Sequence, residues 1–447
     1  MNATTPSLVP RLADRIIRDN FDVRDGELVV GGLSVRDLVT QFGSPLYIYD
    51  YSVLTRQFRT LCTAVAGFAR VFYSIKANPN PAIARVFVDL GAGLEIASGA
   101  EFLLAQAAGC APSDMLFAGP GKGSAELELT VAEGIGEIHL ESFEEIATLA
   151  TIAERFQRDV HVAIRVNPGA PAQGGAMRMG GKPAAFGFDE EIIPDVVADL
   201  ARHPRLKLSG VHLFAGTQIL SAGVLMDQWR YGLKLARSLA EVVGQPLRRI
   251  DLGGGLGVPY HEGDEPLDLG ALRAGARELA AMVAADPLLA ASDIIIEPGR
   301  FLAGPGGVYV MTVRTVKTSR GERFLVCDGG MHHHLAASGN LGQVIKRDYP
   351  IVAATRLHSG DVAPATVVGP LCTPLDTLGR QTRLAHLKPG DLIAVLQSGA
   401  YGLSSSPVGF LSQPTPAEVL VRDGSATLIR PSGTFAAPNT GLTPPPT

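Results

Sequence analysis

Cysteine is scarce in this sequence. Cys62, Cys110, Cys327 and Cys372 are the only four in 447 residues, far apart and with no CxxC pair, so neither a zinc knuckle nor a disulfide framework is indicated. Positive charge is not in excess either: 39 Lys and Arg stand against 44 Asp and Glu, a net of −5. A nucleic-acid surface needs clustered base to neutralise phosphate. No stretch reaches the ~18 uninterrupted apolar residues of a membrane span. The opening segment MNATTPSLVPRLADRIIRDN has no basic patch followed by an apolar core, and so no visible secretory signal. Internal repeats and heptads are missing as well. Apolar material is plentiful, at 46% hydrophobic against 19% charged, which fills a large core and excludes global disorder. At roughly 150 residues per domain the length allows three units or fewer. These features predict a globular cytoplasmic protein with no nucleic-acid or membrane partner.

From residue 52 onward, short β-branched runs alternate with helical spacing. The runs are RVFYSIKA (70–77), LEIAS (94–98), MLFAG (115–119), EIHL (137–140), VHVAIRV (160–166), LKLSGVHLF (207–214), RRIDL (248–252) and DIIIE (293–297). Eight strands separated by helices in about 250 residues favour a closed (β/α)8 barrel, in the α/β class, over an open doubly wound sheet. Periodicity alone does not show closure, so the open sheet stays as the alternative. From Gly306 to about residue 430 the runs are short, rich in Val, Leu and Thr, and broken by Gly, Pro and Asp. That pattern suits antiparallel β structure. Residues 27–48 read as strand, helix and strand. The tail, rich in Pro, Gly and Thr, has little to bury and is expected to be disordered.

Chemically suggestive residues gather at the C-terminal ends of the strands. Lys76 follows the first and Arg165 ends the fifth. His212 and the Gly216-Thr217 pair lie at the sixth, Gly253-Gly254-Gly255 at the seventh, and Glu297 to Arg300 at the eighth. In a (β/α)8 barrel these ends share the rim where active sites are built. Lys76 reads plainly as a solvated strand-end lysine, yet at a barrel mouth flanked by apolar residues desolvation can free its amine for imine formation. The glycine run can be no more than a tight turn, or it can hold a phosphate on its amides. No Lys-Ser/Thr follows it, so it is not a Walker loop, and its seventh place in the series argues against a dinucleotide fingerprint. Glu297 after three isoleucines needs a positive partner, either Arg300 or the protonated nitrogen of a heterocycle. His332-His333-His334 would alternate faces on a strand and so could not all reach one ion; no metal is expected. Cys372, in a Gly-Pro turn, reads by itself as a small apolar residue.

Taken together, YSIKANPNP, IRVNPG, HLFAGTQ, DLGGGLG, EPGR, GPLCTPLD and SGAYG resemble the fold-type III pyridoxal-phosphate decarboxylases, the group of diaminopimelate and ornithine decarboxylases. The match runs from about residue 27 to 430. It implies a barrel of residues 49–302 and a discontinuous antiparallel β domain of residues 1–48 and 303–431, followed by the tail 432–447. It also implies a homodimer with shared active sites. By position, Lys76 resembles the lysine that holds pyridoxal 5'-phosphate as an imine. Arg165, His212, Thr217 and Gly253 to Gly255 fall at cofactor-binding positions, with Thr217 where a serine is usual. Glu297 resembles the acid paired with the pyridine nitrogen, Arg300 a phosphate or substrate contact, and Tyr401 a cofactor contact. Cys372 resembles a proton donor supplied by the neighbouring subunit, and Thr373, Arg300 and Tyr401 stand at substrate positions.

Departures from the pattern bear on specificity. Phe214 stands where the family stacks a histidine on the ring. Diaminopimelate decarboxylases carry a glutamate after the cysteine, where this chain has Thr373. They carry an Arg-Pro stretch where it reads GMHHHLAASGN, and SNYN where it reads PVGF. Those lost groups clamp the distal ammonium and carboxylate, and losing them redirects specificity. The segments GMHHHLAASGNLGQVIKRDYP and VVGPLCTPLD are similar to a specialised branch that includes the butirosin-pathway decarboxylase of a glutamyl thioester on an acyl carrier protein and exosortase-associated decarboxylases. The expectation is α-decarboxylation of an amino acid or a carrier-tethered derivative in a specialised pathway. The alternatives are a diaminopimelate decarboxylase making lysine, a racemase on the same barrel, and a non-catalytic relative.

Overall fold

The computed structural model describes residues 11–169, 177–178, 183–214, 216–341 and 346–435. Residues 436–447 of the tail expected to be disordered, Ala215 of HLFAGTQ and residues 342–345 of the GMHHH segment lie outside the described residues. The chain divides into two compact units: residues 56–258 with 266–302, and residues 1–55 with 259–265 and 303–447.

The first unit is a closed parallel barrel. Its strands are β1 (Arg70–Ser74), β2 (Gly93–Ile96), β3 (Met115–Phe117), β4 (Glu137–Leu140), β5 (Val160–Asn167), β6 (Leu206–Leu213), β7 (Arg249–Asp251) and β8 (Asp293–Ile296). Each pairs in parallel with its sequence neighbour, and β8 pairs back onto β1 through Ile295 with Arg70 and Ile296 with Val71. That last pairing closes the barrel and removes the open-sheet alternative. Phe72, Leu116 and Ile295, from β1, β3 and β8, are fully buried against one another, each worth about 1.5–3 kcal/mol of apolar burial. The returning helices start where the sequence supplies caps. The side chains of Asn80, Ser98, Ser142 and Asp268 accept first-turn amides, satisfying donors that have no partner inside the helix. Gly134 and Gly244 end two helices in the left-handed conformation that a Cβ disfavours.

The second unit is a predominantly antiparallel sheet ordered Thr377–Ala385, Val362–Val368, Glu322–Cys327, Gly307–Ser319, Leu46–Asp50, Ala417–Arg422, Ser425–Arg430. Leu392–Val395 also pairs with Gly307–Ser319. Two pairings are parallel, Leu46–Asp50 with Ala417–Arg422 and Glu322–Cys327 with Val362–Val368. They join segments distant in sequence, which turn-by-turn patterning does not reveal. Helix Arg11–Asn20 places Leu12, Ala13, Ile16 and Ile17 in the buried core of this unit. Among the described residues, no helix is long and apolar enough to cross a membrane.

Candidate active site

The strand ends of the barrel carry the chemistry. Lys76 sits in a single 3-10 turn, Ile75–Ala77, directly after β1. Its Nζ donates to both carboxylate oxygens of Glu95 on β2, at 2.9 and 3.0 Å. Glu95 is 1% exposed, whereas the lysine side chain keeps 43% of its surface. The turn after β1 thus presents an accessible lysine side chain paired to a buried carboxylate. Ser74 Oγ also donates to Glu95, from the register-matched position on β1.

The turn after β8 lies against the lysine turn. Gly299 leaves no room for a side chain, since a Cβ there would come within 2.8 Å of Ala77 Cβ. The glycine loop after β7 is just as close: a Cβ on Gly254 would meet the Glu297 carbonyl oxygen at 2.4 Å. Gly253 and Gly255 hold φ of +69° and +94°, values that favour glycine. The Gly253 amide donates to Asp251 Oδ1 at 2.8 Å, and the Glu297 amide donates to the Gly253 carbonyl at 2.9 Å. Thr217 follows Gly216 in a two-residue strand paired with Met177–Arg178.

Arg165 lies near the C-terminal end of β5. Its Nη1 lies 2.6 Å from Glu141 Oε1, and the guanidinium stacks over Phe186 at 5.0 Å. Glu141 also accepts the amides of Gly119 at 2.7 Å and Gly187 at 3.1 Å. Burial alone would raise the Glu141 carboxyl, but the charge and hydrogen bond of Arg165 outweigh it and hold the group below its ordinary value.

Glu297 and His212 are almost fully buried, with Glu297 Oε2 3.3 Å from His212 Nε2 and outside good hydrogen-bond geometry. Burial holds His212 down at about 4, so it is neutral at pH 7. Burial also pushes Asp251 well above its usual range, reinforced by the negative charge of Glu297. Glu297 goes the other way: burial opposes ionisation, but His212 and a hydrogen bond from Asp251 keep the carboxyl well below its ordinary value. The two neighbouring carboxyls are thus displaced in opposite directions, Asp251 upward and Glu297 downward. Among the described residues the Glu297 ion-pair partner within 4 Å is the neutral His212, and no amide, hydroxyl or ammonium donates to Oε1. A buried carboxylate without a cation calls for one.

His139, His212, Asp251 and Glu297 bring ligand atoms within 4.8 Å of one another, a spacing a metal ion could use. The three consecutive histidines diverge instead of converging. His333 meets Tyr309 Oη at 3.1 Å and the Pro414 carbonyl at 3.0 Å, His334 meets Ser398 Oγ at 3.1 Å, and His332 stacks on His333 at 3.7 Å. They occupy a buried turn, not a strand.

In the other unit, Cys372 is exposed and Thr373 Oγ1 accepts the Leu375 amide at 3.3 Å. Tyr401 adopts a left-handed φ of +52°, and its carbonyl accepts Ser405 Oγ at 2.7 Å. Arg300 opens the short helix Arg300–Ala303 of the barrel unit. Sequence reasoning passed over Glu95, Glu137, His139, Glu141 and Asp251. The available signal was charge inside four-residue apolar runs, with Glu137, His139 and Glu141 alternating onto one face of β4.

A barrel with a lysine at the end of one strand, an uncompensated carboxylate at the end of the strand beside it, and a glycine loop packed on that glutamate's backbone defines a class of enzyme. It is one that lodges an anionic aldehyde cofactor with a basic ring nitrogen. Residues 52–304 match the family model described as the pyridoxal-dependent decarboxylase pyridoxal-binding domain. The chain is 40% identical over 401 residues to an L-glutamyl-[BtrI acyl-carrier protein] decarboxylase of Niallia circulans, covering 89% of this chain and 93% of that one. It is 32% identical over 414 residues to a diaminopimelate decarboxylase of Aquifex aeolicus, covering 92% and 94%. A solved structure from Aquifex aeolicus superposes with a TM-score of 0.83 at 29% identity, covering 95% of this chain and 97% of that one. This chain belongs to the pyridoxal-dependent decarboxylases.

Proposed function

We propose that the chain removes the α-carboxylate of an amino acid presented on a carrier protein, with a glutamyl thioester as the first candidate. The observation that carries the decarboxylase chemistry is Glu297, a buried anion lacking a cation, at the strand end adjoining that of Lys76. Pyridoxal phosphate, when bound, supplies the electron sink that accepts the pair released with CO₂. Lys76 would hold the aldehyde carbon, with Glu95 paired to its side-chain nitrogen at 2.9 Å to orient it. Glu297 would face the ring nitrogen and favour its protonated form. The Gly253–Gly255 loop, Thr217 and Arg300 hold the phosphate, with Arg165 and His212 completing the cofactor cradle. Cys372, exposed on its own chain, is the proton donor to the α-carbon of the neighbouring subunit's substrate in a homodimer, with Thr373 and Tyr401 beside that substrate.

Support for a tethered substrate comes from the Niallia circulans relative, whose name specifies a glutamyl carrier protein, and from the groups this chain lacks. Thr373 provides no carboxylate, and GMHHHLAASGN provides no arginine for a distal carboxylate. The second reading is diaminopimelate decarboxylase, the name borne by relatives at 30–32% identity. CO₂ release separates the two. Cofactor-loaded enzyme is offered free diaminopimelate, lysine, ornithine, arginine, glutamate and glutamyl-loaded carrier protein. Release from the carrier alone is expected, and release from diaminopimelate alone overturns the proposal. Lys76→Ala abolishes turnover in either case.

A further inference from the structure

A column of ionisable side chains runs through the barrel interior beneath Glu297, beyond the residues assigned to the cofactor. At its foot Glu137, on β4, accepts Ser209 Oγ at 2.7 Å and lies 3.9 Å from Arg249 Nη1. Two residues along the same strand, His139 Nε2 lies 3.3 Å from Glu137 Oε1 and 3.8 Å from Asp251 Oδ2 on β7. The His139 ring stacks on His212 of β6, centroids 4.4 Å apart and planes 29° from parallel. Among the described residues, His212 Nε2 lies 3.3 Å from Glu297, and Asp251 brings a carboxylate oxygen within 4.8 Å of it. His139, Glu137 and Asp251 are all fully buried, and Lys122 Nζ pins the His139 carbonyl at 2.6 Å.

We propose that His139 is a positioning residue for the reaction: set between Glu137 and Asp251 and stacked on His212, it holds in place the two groups that flank Glu297, the carboxylate assigned to the cofactor's ring nitrogen. The reasoning is electrostatic. Two carboxyls in contact in a buried site hold one proton between them, and the neighbouring charges decide which keeps it. Asp251 faces Glu297, Glu137 and the Gly253 amide. Glu297 faces Asp251 and His212, with His139 behind them. His139 alone stands next to both the lower carboxylate and Asp251, so it links the Arg249–Glu137 charge to the Asp251–Glu297 pair. Burial opposes the Glu137 charge, but the neighbouring His139, Arg249 and Ser209 hydroxyl hold its carboxyl below its ordinary value.

The test uses holoenzyme loaded with pyridoxal phosphate labelled with ¹⁵N in its ring, and follows the nitrogen shift by NMR from pH 6 to 9. The variants are His139→Phe, which keeps an aromatic ring on His212, and Glu137→Gln, which keeps the shape of the column. Wild type is expected to show a protonated nitrogen throughout. Both variants are expected to lose the proton within that range, with the protonated fraction at pH 8 falling to about one-tenth, a midpoint of about pH 7 and so a drop of at least about three pH units from a wild type still protonated at pH 9. Cofactor dissociation constants from equilibrium dialysis provide the second readout. A role confined to packing would weaken cofactor binding and leave the nitrogen protonated. That result in both variants overturns the proposal, as does a folded pair, by far-UV circular dichroism, that binds no cofactor.

Discussion

Replacing Lys122 by Met tests whether the barrel rim depends on one buried charge pair. Lys122 and Glu145 retain 1% and 5% of their side-chain surface and meet at 2.8 Å. The ammonium also donates to the carbonyls of Gly119 at 2.8 Å and His139 at 2.6 Å, so all three of its protons are used. Burial lowers the Lys122 ammonium and raises the Glu145 carboxyl from their ordinary values, each partly offset by the other's charge. Lys122→Met removes the cation and leaves Glu145 buried with only its capped helix turn for company. Breaking a buried pair in this way costs about 3–5 kcal/mol. Removing both charges in Lys122→Met/Glu145→Leu leaves no unpaired ion, and is expected to fall within about 2 kcal/mol of wild type. Trp229, the only tryptophan in the chain and 1% exposed in the barrel unit, provides the assay through its fluorescence in urea. A Lys122→Met loss below about 1 kcal/mol, the scale of an exposed pair, refutes the reasoning. So does a double variant as unstable as the sum of the two single ones.

Burial holds His334 at about 3 against an ordinary 6.5. Its stabilising contribution is complete above about pH 6.5 and is lost as pH falls toward 3, because the unfolded ring takes up the proton first, at ~1.4 kcal/mol per pH unit. His334→Gln should flatten the dependence of stability on pH between 6 and 4 by that slope; an unchanged slope in urea titrations refutes it. Gly254→Ala drives a methyl into the Glu297 carbonyl, and cofactor affinity measured by dialysis should fall by at least about ten-fold, on the scale of ~1–3 kcal/mol of overpacking. Arg165→Met leaves Glu141 held only by two amides. The cost should be about 3 kcal/mol in urea, and a loss near zero would mean that Glu141 takes up a proton instead.

The eight barrel strands were legible because each is a β-branched run bounded by helical spacing, and the rim residues Lys76, Arg165, His212 and Glu297 followed from their places at the strand ends. Closure was not legible: it rests on the β8–β1 pairing, a contact across more than 200 residues that no local pattern encodes. The partners of the rim residues were the larger gap. Glu95 and Glu137 sit in strands of four residues, too short for a period-two alternation to stand out. Asp251 was hidden by the glycines after it. Helix Arg11–Asn20 had its signal in the paired spacing of Leu12, Ala13, Ile16 and Ile17, which a search for a leader segment passes over.

Strand Leu46–Asp50 has consequences for the chain during synthesis. Its two sheet neighbours, Gly307–Ser319 and Ala417–Arg422, are translated long after it, so its hydrogen-bonding edges and buried residues wait while the barrel emerges. At about 5–20 residues per second, the wait for Ala417 is roughly 20–75 s. During that time Leu46, Tyr47, Ile48 and Tyr49, all destined for burial, have no native partner strand. A nascent chain stalled before residue 417 should therefore contain a barrel ready to fold beside an unpaired, aggregation-prone strand, making the carboxyl-terminal hairpin Ala417–Arg430 the last piece needed for solubility.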